Sequence, residues 1–461
     1  MRYALLAFHF GTYLAFRLCE ALLRFLPLDV AFTVGKAAGI GVYQLARNRR
    51  NLAQKNLRLA FGKEMTKTQL RALNREHFQL LGANLLAGLK ASTMPHEKLW
   101  ERVSANVPEN RGRTGWVALI SHIGNWELFS HLGEKYPEYR FGAIYQPLKN
   151  PFVDRHMRRT RERSGIRLFD RRTELLGCVR FLREGGVVGV LVDQGAGYAG
   201  LWTPLFGRLT SSSTLAATLA IRTGLPVVPL SINTVGRARW ELNILEPFQP
   251  RHDDTELLTA EINRLLETQI RRSPADWLWA HNRWKPLRPH FLFARDQRRV
   301  FLPRDLDPST LDPFRILIVS PPGTEDPRVA FPAVRAIRKG RPDTWLGVLA
   351  PADAAGIWRE NPDVAKVIPF AQDDSPFALA AKIRSAADFD AAIFLTPWWK
   401  TTVAAWLARI PLRVGRRGTL FSLLYTQRRW ASEYALPPDR DHLRMARSIG
   451  ADTRDPEPTS A

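Results

Sequence analysis

Cysteine is nearly absent: Cys19 and Cys178 are the only two in 461 residues. Their number and separation exclude a disulfide framework and a cysteine metal cluster, and they suit a reducing compartment. Acidic residues are scarce beside basic ones, 44 Asp+Glu against 67 Lys+Arg, for a formal charge of +23 carried mostly by arginine. Such a surface favours anionic partners: phosphorylated lipid, an acidic carrier protein, membrane head groups or nucleic acid. Zinc-finger spacing, basic heptads and aromatic ribonucleoprotein motifs are all missing, so nucleic acid is not the expected partner. No metal and no resident cofactor is expected either.

Long uncharged apolar runs are missing too. Tyr3 to Phe16 carries no formal charge, and then Arg17, Glu20 and Arg24 interrupt. The uncharged part falls short of the ~18 residues of a clear span. The three charges recur at helical spacing and share one face. Residues 1–26 therefore read as a membrane-anchoring helix, amphipathic or marginally spanning, against a buried core helix. Leu26-Pro27-Leu28-Asp29 is wrong for a cleavage site, so a removed signal is not expected. A second apolar segment, Val30 to Ala46, ends in Arg47, Arg49 and Arg50, which suits an anionic cytoplasmic leaflet.

What the chain does contain is organised around Gly115-Trp-Val-Ala-Leu-Ile-Ser-His122-Ile-Gly-Asn125-Trp-Glu127. Val117 to Ile120 is of strand type, the chain breaks at Ser121-His122 and Gly124-Asn125, and helical spacing resumes at Trp126. A strand ending on His delivers the imidazole to the rim of a sheet, where open α/β folds bind ligands. Glu127 lies close enough across the turn for its carboxylate to reach that imidazole, so the pair reads as general base and orienter. The bare spacing is weak evidence: with 10 His and 44 acids, chance supplies about one such pair.

Further along, residues 66–90 read as a helix opened by Thr66-Lys-Thr-Gln. Phe141 to Tyr145 and Gly186 to Val192 read as strands, the second ending at Asp193-Gln194 on the same rim. Five arginines crowd Arg155 to Arg163, most of them a solvated helix face. Trp277, Trp279 and Trp284 suit either a membrane interface or a buried closing element. Residues 289–313, rich in Pro, Arg and Asp, read as a linker.

These blocks, with Arg49-Arg50-Asn51, Arg161-Glu-Arg163-Ser-Gly165, Pro204-Leu-Phe206-Gly207, Gly224-Leu-Pro226 and Trp279-Ala-His281, resemble the late acyltransferases of lipid A biosynthesis over roughly residues 1–288. The resemblance implies a fatty acyl transfer from an acyl thioester to a glycolipid hydroxyl, with His122 as base and Glu127 as its orienter. It singles out Arg161, with Arg163 as the register alternative, and carries over Asp193 to the substrate site. It places Phe206 and Gly207 along the acyl groove. Asn125 and the following backbone N–H groups would stabilise the thioester oxyanion. Two family features are absent: Gln146 stands where an Arg usually precedes Pro147, and Gly195 replaces a second acid. The implied donor is acyl carrier protein, an acidic partner, with acyl-coenzyme A as the alternative. The implied location is the cytoplasmic face of an inner membrane.

From Phe314 a βαβ pattern begins that resembles the N-terminal half of heptosyltransferase-type GT-B enzymes, through Phe331-Pro332, Arg341-Pro342-Asp343 and Asp390. The partner half of a GT-B enzyme is not in the sequence. The expected architecture is therefore α/β: an anchor at 1–26 and an acyltransferase domain with a mixed, helix-flanked sheet at 27–288. The linker at 289–313 leads to a Rossmann-like half domain at 314–461. An envelope glycosyltransferase and a non-catalytic membrane adaptor are the competing readings.

Overall fold

A computed structural model describes residues 2–106, 115–250, 253–320, 326–396, 398–418, 420–429 and 436–454. The chain divides into two compact units, 1–285 with 300–303, and 286–299 with 304–461.

The first unit opens with four helices, α1 (Arg2–Phe25), α2 (Leu28–Leu45), α3 (Arg47–Phe61) and α4 (Lys67–Ala91). α4 starts where its sequence says it should: Thr66 and Gln69 close a reciprocal capping box. α2 lies against α4 backbone to backbone, because Gly35, Gly39 and Gly82 present no side chains; a Cβ on Gly39 would meet the Phe78 carbonyl oxygen at 2.0 Å.

Seven strands follow in one sheet: β1 (Val103–Asn106), β2 (Trp116–Ile120), β3 (Phe141–Tyr145), β4 (Ile166–Asp170), β5 (Val187–Leu191), then β8 (Val227–Gly236) and β9 (Arg239–Ile244). Between them β6 (Leu201–Leu205) and β7 (Arg208–Ser212) form a separate hairpin. The sheet order is β1-β9-β8-β2-β5-β3-β4, parallel except for the β8–β9 hairpin. β2 is thus central, and its Val117 and Leu119 lie wholly within the core on one face.

The second unit is a six-stranded, fully parallel sheet of β10 (Phe314–Val319), β11 (Thr344–Pro351), β12 (Lys366–Phe370), β13 (Ala391–Phe394), β14 (Leu412–Arg416) and β15 (Gln427–Arg429). Its order, β12-β11-β10-β13-β14-β15, is that of a doubly wound nucleotide-binding fold. Apolar clusters fill both faces.

The stretch expected as a linker, 289–313, is not a free tether. Phe291, Leu292 and Phe293 are buried in the second unit's core, and the Phe301 N–H donates to the Trp202 carbonyl in the first. Proline and charge suggested a tether, but the aromatic and leucine side chains between them find apolar partners, which outweighs the composition.

Candidate active site

β2 and β5 are parallel neighbours with Ile120 opposite Leu191. Two residues beyond each strand end, the same register brings His122 beside Asp193. The His122 imidazole Nδ1 lies 2.9 Å from Asp193 Oδ1, and the His122 backbone N–H donates to Oδ2 at 2.8 Å. The Trp277 indole N–H donates to that second oxygen at 2.9 Å. Leu278 N–H in turn donates to the His122 carbonyl. An ionised carboxylate only accepts, so Nδ1 carries the proton and Nε2 is left as the base. Gln194 Nε2 stands 3.5 Å from that nitrogen.

Burial by itself would depress the imidazole, but Asp193 outweighs it, with Glu127 adding a smaller effect, and the His122 pKa is raised. Burial would likewise raise Asp193; the His122 charge and its hydrogen bonds win and hold the carboxyl below its ordinary range. The pair is hydrogen-bonded and almost wholly withdrawn from solvent.

Glu127 does not play the expected part. Its carboxylate receives Arg161 Nη2 at 3.1 and 3.3 Å and the Trp126 indole N–H at 3.2 Å. The reason is local. At Gly124 (φ 57) a Cβ would stand 1.9 Å from the Ile232 carbonyl oxygen, so the chain turns there as only glycine allows. A 3-10 turn, Trp126–His131, then aims Glu127 at the helix Pro151–Arg163. The carboxylate that holds His122 is Asp193, which the sequence had suggested for substrate binding.

Of the two arginine registers, Arg161 faces Glu127, while Arg163 is exposed and lines a separate groove. Asn125 is 2 % exposed and packs against Gly88 of α4, its Oδ1 3.0 Å from where a Cβ there would be. Its buried amide Nδ2 has no hydrogen-bond partner among the described residues. Phe206 is buried too, edge-on to Phe61 at 5.3 Å and to Trp284 at 6.4 Å. Phe206 and Gly207 (φ 51 and 68) are the two-residue turn of the β6–β7 hairpin, not the wall of a groove. The three tryptophans 277, 279 and 284 are likewise buried, so the aromatic run closes the core.

The apolar cavity lies elsewhere, on the face of the sheet that carries Trp116, Ala118 and Ile120. Ala118, Gly189 and Ala143 stand in register across β2, β5 and β3, and their small side chains hollow the sheet surface. Trp116, Val187 and Phe141, also in register, close the inner end. Trp126, Glu127, Tyr145 and Arg161 surround the other end, and the Trp126 ring is edge-on to His122 at 5.1 Å. The void amounts to about 770 Å³ including its open mouth. Strand rise of ~3.3 Å per residue makes the trough, four residues from Phe141 at one end to Tyr145 at the other, ~13 Å long. Sequence reasoning missed it, because no single strand shows which small residues will lie side by side.

Arg49, Asn56 and His281, distant in sequence, also gather near the site. Asn56 Nδ2 donates to the Trp279 and His281 carbonyls at 2.8 and 2.7 Å, and Arg49 donates to the Ala280 carbonyl. Burial lowers the His281 pKa.

With this geometry in hand, the comparisons with known proteins are specific. The bacterial lipid A biosynthesis acyltransferase family model matches residues 6–286. The lipid A biosynthesis lauroyltransferase of Escherichia coli (strain K12) is 25 % identical over 270 residues, covering 56 % of this chain and 87 % of its own. The palmitoleoyltransferase of the same organism is 24 % identical over 269 residues, covering 56 % and 86 %. Among solved structures, a glycosyl transferase family 9 protein from Veillonella parvula is similar at 18 % identity and a TM-score of 0.29, over 31 % of this chain and 42 % of its own. The E. coli ADP-heptose heptosyltransferase II is similar at 22 % identity and a TM-score of 0.26, over 30 % and 41 %. This chain thus spans less than half the length of either glycosyltransferase. The family match covers well over half of the chain and contains every residue of the site, and the protein belongs to the bacterial lipid A biosynthesis acyltransferases.

Proposed function

We propose that the protein transfers a fatty acyl chain from an acyl thioester to a hydroxyl of a lipid A-type glycolipid precursor at a membrane surface. His122 Nε2 takes the hydroxyl proton as the oxygen attacks the thioester carbonyl, and the imidazolium gives it to the sulfur as the C–S bond breaks and the carrier's thiol leaves. Asp193 keeps the proton on Nδ1 and stabilises the imidazolium that forms. The trough under Ala118, Gly189 and Ala143 accepts the acyl chain. Glu127 and Arg161 hold each other at its mouth, where the acyl carbonyl has to lie if its chain is in the trough. The donor we favour is acyl carrier protein, because an acidic carrier suits a chain of charge +23; acyl-coenzyme A is the alternative donor. The cytoplasmic face of the inner membrane is the matching location.

The observation that carries this reading is the buried His122–Asp193 pair beside an apolar trough, a base next to a place for a hydrocarbon chain. Mass spectrometry of lipid A from cells with and without the protein tests it. The expected result is a loss of one acyl chain when the protein is removed. Unchanged lipid A, together with no transfer by the purified protein from either donor, would overturn the reading.

A further inference from the structure

The helix α1 is long enough to cross a membrane, yet the structure holds it by one side. His9, Tyr13, Phe16, Glu20 and Leu23, a single helical stripe, are covered, while Leu14, Leu18, Leu22 and Phe25 on the other side are 51–83 % exposed. The covering element is the polar helix Pro151–Arg163. Its Phe152 ring stacks on Tyr13 at 6.0 Å, and its His156 lies 3.0 Å from Arg17 and 3.2 Å from Glu20. Asn150 donates to the His9 carbonyl and to Thr12, both at 2.8 Å, and at the far end Lys90 donates to the Arg24 carbonyl.

These contacts run from residue 9 to residue 24. Beyond them the free N-terminal end is only about 10 Å long at ~1.5 Å per residue. The hydrocarbon layer is ~30 Å thick. For α1 to cross it, the helix Pro151–Arg163 would have to enter with it, carrying Arg155, Arg158 and Arg159, and charged side chains near the bilayer centre are strongly disfavoured.

Alongside the exposed apolar face runs a groove between the two helices. Arg24, Arg155, Arg159 and Arg163 line it, and their guanidinium groups have no ion pair or hydrogen bond among the described residues. The groove's acids are already matched, Glu20 by Arg17 and His156, and Glu134 by His131. Four unmatched guanidinium groups beside an apolar strip complement one surface: a bilayer leaflet with anionic phosphate head groups.

We propose that α1 lies in the plane of such a leaflet, apolar side down, with the groove arginines on lipid phosphates, and does not cross the membrane. This rests on the membrane-surface part of the functional reading, but it is read without any activity, so the two fail separately. The full chain with a cleavable epitope ahead of Met1, and with Lys63→Cys as a marker for the body of the first unit, is placed in right-side-out and inverted bacterial membrane vesicles. An in-plane helix leaves the epitope open to protease on the side where Lys63→Cys reacts with an impermeant maleimide. Cleavage from the opposite side overturns the proposal. In flotation with vesicles, Arg155→Gln/Arg159→Gln/Arg163→Gln should weaken binding to phosphatidylglycerol-containing vesicles on the order of 100-fold and leave binding to neutral ones unchanged. A triple variant that keeps its preference for anionic vesicles overturns the role of the groove.

Discussion

The two units of this chain solve the same packing problem in opposite ways. Each builds a sheet around parallel strands, and each places a glycine in a strand. In the second unit, a Cβ on Gly347 would stand 2.9 Å from the Phe389 ring, so an aromatic has taken the space the glycine leaves. In the first unit, the atom nearest to a Cβ on Gly189 would be Ile120 Cδ1 at 3.2 Å, and the space above stays open as the trough. A missing side chain becomes a cavity only if no neighbour is long enough, and correctly directed, to fill it.

Buried charge differs in the same way. In the second unit Arg341 and Asp343 face each other two residues apart, Nη2 to Oδ2 at 2.8 Å, on the loop leading into β11. They are fully buried, with Arg341 also stacked over Phe314 at 4.2 Å, and nothing in them is left for a substrate. In the first unit His122 and Asp193 meet from two strand ends, and Nε2 remains unengaged by the carboxylate. One pair is closed on itself, and the other leaves a ring nitrogen open.

That contrast is broken most directly by mutating both pairs. His122→Ala should lower acyl transfer by ~10²–10⁴-fold with the fold intact, since general base catalysis is typically worth that much. Asp193→Asn should come close to the same loss. Because the carboxylate is what raises His122, activity in the native enzyme should rise with pH through a value above 6.5, and Asp193→Asn should move that rise downward. Glu127→Gln should be milder and leave the position of the rise nearly unchanged. Asp343→Ala, by contrast, should cost ~3–5 kcal/mol of stability, as a broken buried pair does, without touching the pH profile. An unmoved pH profile in Asp193→Asn would show that Asp193 is not the orienter. Steady-state rates against pH, with thermal melts alongside, separate these outcomes.

A second contrast is expected to vanish with acid. Burial lowers His77 in the first unit and His442 in the second, both to about 4 from 6.5. A depressed folded pKa means the unfolded chain takes up the proton first. The contribution is therefore complete above pH ~6.5 and is lost as pH falls toward 4, by at most about 3 kcal/mol for each histidine. Both units should lose stability together between those values in melts read by circular dichroism. Constant stability across that window would mean that neither histidine is held neutral.

The smallest effects come from the glycines. Gly189→Val should fill the trough and shift donor preference toward shorter acyl chains, measured as KM against chain length, with little change in melting temperature. Gly347→Ala should do the reverse, destabilising by ~1–3 kcal/mol through overpacking on Phe389 while leaving chain-length preference alone. Equal chain-length profiles for Gly189→Val and the native enzyme would remove the trough from the acyl site.

Much of this is legible in the amino-acid sequence, because it depends on neighbours along the chain. The strand Phe141–Tyr145, the Thr66–Gln69 start of α4, the rim positions of His122 and Asp193, and the mixed and parallel sheets all follow from local pattern. The amphipathic side of α1 is also a matter of spacing alone. What the sequence could not decide is which rim carboxylate meets the imidazole. Glu127, five residues away, looks nearer than Asp193, yet strand register brings a residue 71 positions distant within 2.9 Å while a glycine turn carries Glu127 off to Arg161. The same holds for the trough, which exists only because Ala118, Gly189 and Ala143 come from three strands in one register. Local propensity is set by side chains a few residues apart; partner choice is set by the alignment of strands, and that is a property of the folded sheet alone.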